Sequence, residues 1–95
     1  MTRRAHKVDG NQAEIVKALR RIGASVQILS SVGRGCPDIL VGLRTGGNGR
    51  RNLLMEIKLP GERFTLDQVD WHDAWRGQVA VVETVDEALK IARAR

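Results

Sequence analysis

Three residues in this chain are of types, and at spacings, that could do hydrolytic chemistry: Asp38, Glu56 and Lys58. Glu56 and Lys58 close the apolar run Leu53-Leu54-Met55, separated only by Ile57. A strand alternates its side chains between two faces, so Glu56 and Lys58 point one way while Met55, Ile57 and Leu59 point the other. An acid and a base on one face of a mostly apolar strand are costly to bury without partners. A second apolar run, Pro37-Asp38-Ile39-Leu40-Val41, opens with an acid. If the two runs pair as neighbours, Asp38 meets Glu56. Two carboxylates beside one ammonium make a seat for a hard divalent cation and a polarised water. A solvated edge strand is the competing account of Glu56 and Lys58, but the flanking run is too apolar for full exposure.

The rest of the chain reads as the frame that holds these groups. Ile15, Val16, Leu19 and Ile22 form an apolar stripe at helical spacing. Asp9 or Asn11 is the expected cap of that helix, which runs to about Arg21 with Gly23 just past its end. Residues 1–10 are basic and read as a loosely ordered arm. Ala24 to Val32 reads as a strand, and Gly33-Arg34-Gly35-Cys36-Pro37 as a turn or bulge. Asp38 to Leu43 is a second strand, residues 45–51 a flexible hairpin loop, and Asn52 to Leu59 a third strand ended by Pro60-Gly61. Thr65-Leu66-Asp67-Gln68 has capping-box spacing and opens a helix from Leu66 to about Trp75, closed by Gly77. Gln78 to Glu83 is a short strand. A second capping box, Thr84-Val85-Asp86-Glu87, opens a helix through about Ala94. The order α-β-β-β-α-β-α predicts an α/β fold, a mixed four-stranded sheet flanked by helices.

Ninety-five residues make one domain, 1–95, able to bury roughly 60–65% of its unfolded surface. A hydrophobic share of 42% and a charged share of 28% fit a globular chain and exclude a disordered or fibrous one. The net charge of +5 and pI of about 10.4 favour a polyanionic partner, nucleic acid being the commonest. With only Phe64, Trp71 and Trp75 as aromatics, a base-stacking platform for single strands is not expected.

Cys36, the single cysteine, excludes an internal disulfide and a zinc site of several thiolates. It reads as a small buried apolar residue and points to a reducing, intracellular compartment. The basic N-terminus has no apolar core after it, so it does not read as a secretory signal, and no stretch approaches membrane-spanning length. Gly46-Gly47-Asn48-Gly49 lacks the lysine and following helix of a phosphate-binding loop. His6 and His72 suggest no metal pair, and His72 reads as a surface helix residue. Trp71 and Trp75, four apart on a helix, read as core or a subunit interface.

Asp38, then Glu56-x-Lys58, with Glu14 in the first helix, resembles the PD-(D/E)xK nuclease superfamily. Within it the chain looks like the stand-alone VRR-NUC domains found in phages, and archaeal Holliday junction resolvases look similar. Gly35-Cys36-Pro37-Asp38 matches that family's glycine-x-proline-aspartate turn, and the resemblance covers nearly the whole chain. It implies a restriction-endonuclease-like core and a Mg²⁺- or Mn²⁺-dependent endonuclease that hydrolyses phosphodiester bonds of DNA. It further implies a homodimer acting on branched substrates such as four-way junctions, in the cytoplasm of a bacterial host.

The metal is then expected on Asp38, Glu56 and the backbone carbonyl of Ile57, with Glu14 reaching it directly or through water. Lys58 is expected to orient the attacking water, with Gln68 beside it. Glu14 also reads as a helix partner of Lys17 and Arg21, and Gln68 as the capping partner of Thr65. Arg34, Arg44, Arg50 and Arg51, with Arg3, Arg4 and Lys7, are expected to contact phosphates, Arg34 first because it adjoins the Asp38 turn. Simple surface charge explains some of these equally. The rival functions are a nickase or a flap or duplex nuclease of the same fold, a non-catalytic nucleic-acid-binding module, and a protein-interaction domain.

Overall fold

The structure, a computed structural model, describes residues 3–94, with side chains described from Asn11 onward. Its elements follow the expected order: α1 (Arg3–Arg21), β1 (Ser25–Ile28), β2 (Ile39–Arg44), β3 (Arg50–Ile57), α2 (Leu66–Ala74), β4 (Val79–Val82) and α3 (Val85–Arg93).

Helix α1 begins at Arg3, well before the expected caps at Asp9 or Asn11, so residues 3–10 are helical rather than an arm. Arg, Ala and Lys favour helix, and one interior glycine, Gly10, costs only about 1 kcal/mol. The contacts expected of Arg3, Arg4 and Lys7 fall on side chains outside the described residues. The helix ends as expected. Gly23 takes φ +95°, Gly23 N–H donates to Arg20 O at 3.0 Å and Ala24 N–H to Leu19 O at 3.1 Å, which together make a Schellman motif.

The sheet runs β1-β2-β3-β4. β1 and β2 are antiparallel, β2 and β3 are antiparallel with Ile39 opposite Met55, and β3 and β4 are parallel with Ile57 opposite Val82. The parallel pair needs a crossover, and α2 supplies it. β1 is shorter than expected because Val32 N–H turns back onto Leu29 O at 2.9 Å. Cys36 N–H then bonds Gly33 O at 3.1 Å, with φ +56° at Arg34 and +81° at Gly35. Two positive φ values inside such a bond make a type I′ turn, which aims the chain straight into β2.

One face of the sheet carries the core. Ile39 and Val41 of β2, Leu53, Met55 and Ile57 of β3, and Val82 of β4 pack under Ile15, Val16 and Leu19 of α1 and Ala88 and Ala92 of α3. Full burial of each large aliphatic contributes about 1.5–3 kcal/mol. Thr84 caps α3 by accepting from Glu87 N–H at 3.1 Å. The returning bond goes from Glu83 N–H to Glu87 Oε1 at 2.6 Å, so it engages the residue before the expected partner.

Helix α2 lies over the opposite face and has no buried residue. Trp71 stacks on Trp75 with ring centroids 4.7 Å apart, and Trp75 is 44% exposed, so this pair is not core. Among the described residues, no helix is long and apolar enough to cross a membrane.

Candidate active site

Strand alternation does to β3 what the sequence requires. Leu53, Met55 and Ile57 go into the core, and Glu56 and Lys58 go to the α2 face, where they are buried at 1% and 3% exposure. Asp38 stands at the mouth of β2. Its N–H donates to Met55 O at 3.1 Å although Ile39 is the register partner of Met55. Two consecutive β2 residues thus address one β3 residue, as at a β-bulge, which re-aims the Asp38 side chain. That side chain continues the ladder: Ile57 N–H donates to Asp38 Oδ2 at 2.7 Å. Lys58 N–H points the other way, to Val82 O of β4 at 2.9 Å. Since N–H and C=O of one strand residue share an edge, the Ile57 carbonyl faces the Asp38 side.

Asp38 and Glu56 interact directly. Burial first, then the charge and hydrogen bond of Asp38, push Glu56 up to about 8, and Lys58 only partly offsets this. A buried carboxylate beside a half-buried one gathers hard oxygen donors at one place. A divalent cation fits it, because Mg²⁺ typically takes one or two carboxylates and keeps waters and substrate oxygens for its other positions. The Ile57 carbonyl is a third oxygen on the same edge. Among the described residues, no group of three or more His, Cys, Asp or Glu side chains is arranged to hold a metal.

Helix α2 delivers the polar partners. Thr65 and Gln68 form the expected capping box, with Gln68 N–H donating to Thr65 Oγ1 at 3.2 Å and Thr65 N–H to Gln68 Oε1 at 2.9 Å. The capping side chain also serves the site: Gln68 Oε1 accepts from Lys58 Nζ at 2.5 Å, and Gln68 Nε2 donates to Glu56 Oε2 at 3.3 Å. One amide therefore makes both the capping contact and the contacts with Lys58 and Glu56. Lys58 Nζ donates as well to Arg63 O at 3.2 Å, lies 3.8 Å from Glu62 and sits 5.0 Å from the centroid of the Phe64 ring. The ammonium is tethered on several sides.

Glu14 is placed elsewhere. It is exposed on α1 and lines a groove with Lys17, Arg20, Ile28 and Ser30. The α1 residues that turn inward are Asn11, whose amide donates to Lys58 O at 3.3 Å, and buried Gln12, bonded to Ser30 Oγ at 3.3 Å. Arg51 is also not a free surface cation. Its Nη2 donates to Ala92 O at 3.3 Å and Ala94 O at 3.1 Å, closing the end of α3. Arg50 starts β3 at the end of the strand opposite Glu56, and Arg44 pairs with it. Arg34 is exposed on the turn that leads to Asp38.

Two expectations need correction. His72 is no surface residue: at 14% exposure its Nε2 lies 3.3 Å from Glu56 Oε1. Burial and then Lys58 lower its pKa, which disfavours an ion pair with Glu56 and favours a hydrogen bond between the ring nitrogen and the carboxyl group. The clue was available, because His72 follows Gln68 by one helical turn and must share its face. Cys36 is half-buried rather than core, and burial, then Glu56 and Asp38, push its thiol up.

No family model matches the chain, and no curated protein matches it. A solved structure described as a VRR_NUC domain is similar to it, with a TM-score of 0.67 and 24% identity over 90% of this chain and 92% of that one. A similarity that spans both chains nearly end to end, with the strand order and the α2 crossover derived above, means that this protein has the fold of a VRR_NUC domain.

Proposed function

We propose that the protein is a divalent-metal-dependent DNA endonuclease that acts on branched DNA as a homodimer. The observation that carries this reading is the meeting of Asp38 and Glu56 at the ends of adjacent strands, with the Lys58 ammonium tethered on the same face through Gln68. The VRR_NUC fold supports it, as does the net charge of +5.

A bound Mg²⁺ or Mn²⁺ supplies charge neutralisation at the phosphate and lowers the pKa of a coordinated water. Asp38, Glu56 and the Ile57 carbonyl would hold it. Lys58 offers a fixed ammonium at the position where negative charge develops in the transition state and orients the attacking water. Gln68 keeps Lys58 and Glu56 at a constant separation. Arg34 contacts a phosphate next to the cut, without reading sequence.

Two strands need two sites, and a symmetric pair of chains presents them. The apolar side chains that α2 and its C-cap leave exposed, Leu66, Val69 and Trp75, support a second copy as the partner. Incubating labelled four-way, flap and matched duplex DNA with the protein, with and without Mg²⁺, tests the reading. Cleavage of the four-way substrate only with metal is expected. A metal-independent result, or binding without cleavage, contradicts it.

A further inference from the structure

We infer that His72 is a positioning residue for Glu56, and that it and Gln68 together clamp that carboxylate in the orientation that receives a divalent cation. The inference rests on the reading of Asp38 and Glu56 as metal ligands and adds a residue that neither the ExK pattern nor the Asp38 turn contains.

Helix α2 approaches Glu56 with two side chains one turn apart. Gln68 Nε2 takes Oε2 and His72 Nε2 takes Oε1, each at 3.3 Å. The carboxylate is thus gripped at both oxygens from one element. Each oxygen has two lone pairs, so an N–H on one leaves the other for a cation. The imidazole is held in turn: its ring lies 4.8 Å from Phe64 and 5.4 Å from Trp71, centroid to centroid. The same Phe64 ring lies beneath Lys58. One aromatic therefore braces both the group that orients the acid and the base next to it.

A buried carboxylate with free rotation must lose that freedom when it binds metal. One already fixed at both oxygens does not. Removing such an orienting partner typically weakens metal affinity or activity about 10–100-fold. When Glu56 is the carboxylate that binds a cation, its Oε1 can only accept; the ring then presents Nε2–H, a donor that glutamine can reproduce and phenylalanine cannot.

The test is Mn²⁺ binding by calorimetry to wild type, H72F, H72Q and D38N, with thermal unfolding to confirm folding. H72F should bind Mn²⁺ about 10–100-fold more weakly than wild type. H72Q should recover to within roughly threefold, a rescue that a space-filling role would not give. H72F binding as tightly as wild type overturns the inference while leaving Asp38 and Glu56 intact as ligands. Failure of the wild type to bind, or of D38N to lose binding, overturns the underlying reading instead.

If H72F does not fold, the imidazole nitrogen signals of wild-type His72 decide. They should shift on adding Mg²⁺ and show the Nε2–H form in the Mg²⁺-bound protein. A ring that does not respond to Mg²⁺ in a protein that binds it contradicts the clamp.

Discussion

The backbone N–H of Ile57 donates to the side chain of Asp38, at 2.7 Å, where a regular ladder would have offered it a carbonyl from the neighbouring strand. Asp38 is thereby locked against the same strand that carries Glu56 and Lys58. The carboxylate pair is a product of sheet register and of the turn before β2, and disturbing either should show in both stability and chemistry.

The first consequence is a pH dependence. Glu56 has its pKa pushed up to about 8 in the folded protein from an ordinary value of 4.5. The folded state then binds more protons than the unfolded one between these values, so stability falls as pH rises and levels off above the folded pKa. His72 has a lowered pKa and works in the opposite sense, but its effect is complete above its ordinary 6.5. Between pH 7 and 8.5 the metal-free protein should therefore lose about 1 kcal/mol, or roughly 4–8 °C in Tm. Thermal unfolding across that range measures it. Millimolar Mn²⁺ should reverse the loss, since the cation replaces the proton on Glu56. A metal-free Tm that rises over this interval would contradict the raised pKa of buried Glu56.

Gly35 should be far less replaceable than Gly33. Both have positive φ, +81° and +77°, so alanine strains either backbone. A Cβ on Gly33 meets nothing within 4 Å, but one on Gly35 would stand 2.2 Å from Asp67 O, in the first turn of α2. Gly33→Ala should cost only about 1 kcal/mol. Gly35→Ala should push α2 off the sheet, carry Gln68 and His72 away from Glu56, and lose cleavage as well as stability. Equal losses for the two variants in urea unfolding and cleavage would mean that the close packing of turn and helix does not matter.

Two arginines should part company. Arg51→Ala removes the bonds to Ala92 O and Ala94 O and should lower stability by roughly 1–2 kcal/mol with little change in DNA affinity. Arg34 is exposed at φ +56°, a conformation glycine adopts without strain. Arg34→Gly should keep or raise stability, weaken DNA binding and reduce its salt slope by about one. Measuring unfolding and salt-dependent binding for both variants checks the assignment, and the opposite pattern would exchange their roles.

Much of this was legible in the residues. Alternation places Glu56 and Lys58 on one face, and pairing of the two apolar runs brings Asp38 to Glu56, although an aspartate at the start of a strand after a turn is also ordinary turn chemistry. The capping box fixed the start of α2 and, through it, where Gln68 would lie. Less visible were features that depend on three-dimensional packing. Glu14 fits helical spacing as well as Asn11 does, but the rotation of α1 on the sheet, set by Ile15 and Leu19, turns Asn11 inward and leaves Glu14 in solvent. Arg51 looked like a hairpin cation because nothing in the sequence says that the end of α3 returns to it. His72 reads as a surface helix residue because a lone histidine has many uses, and only its spacing from Gln68 links it to Glu56.

The proposed metal chemistry is tested most directly by Asp38→Asn in single-turnover cleavage of a labelled four-way junction with Mg²⁺, alongside direct binding of the same DNA. Loss of cleavage by three or more orders of magnitude is expected, on the order of 4 kcal/mol in the barrier, with DNA affinity equal or higher because a negative charge near phosphate is gone. Cleavage by Asp38→Asn at the wild-type rate would contradict the role given to the Asp38–Glu56 pair.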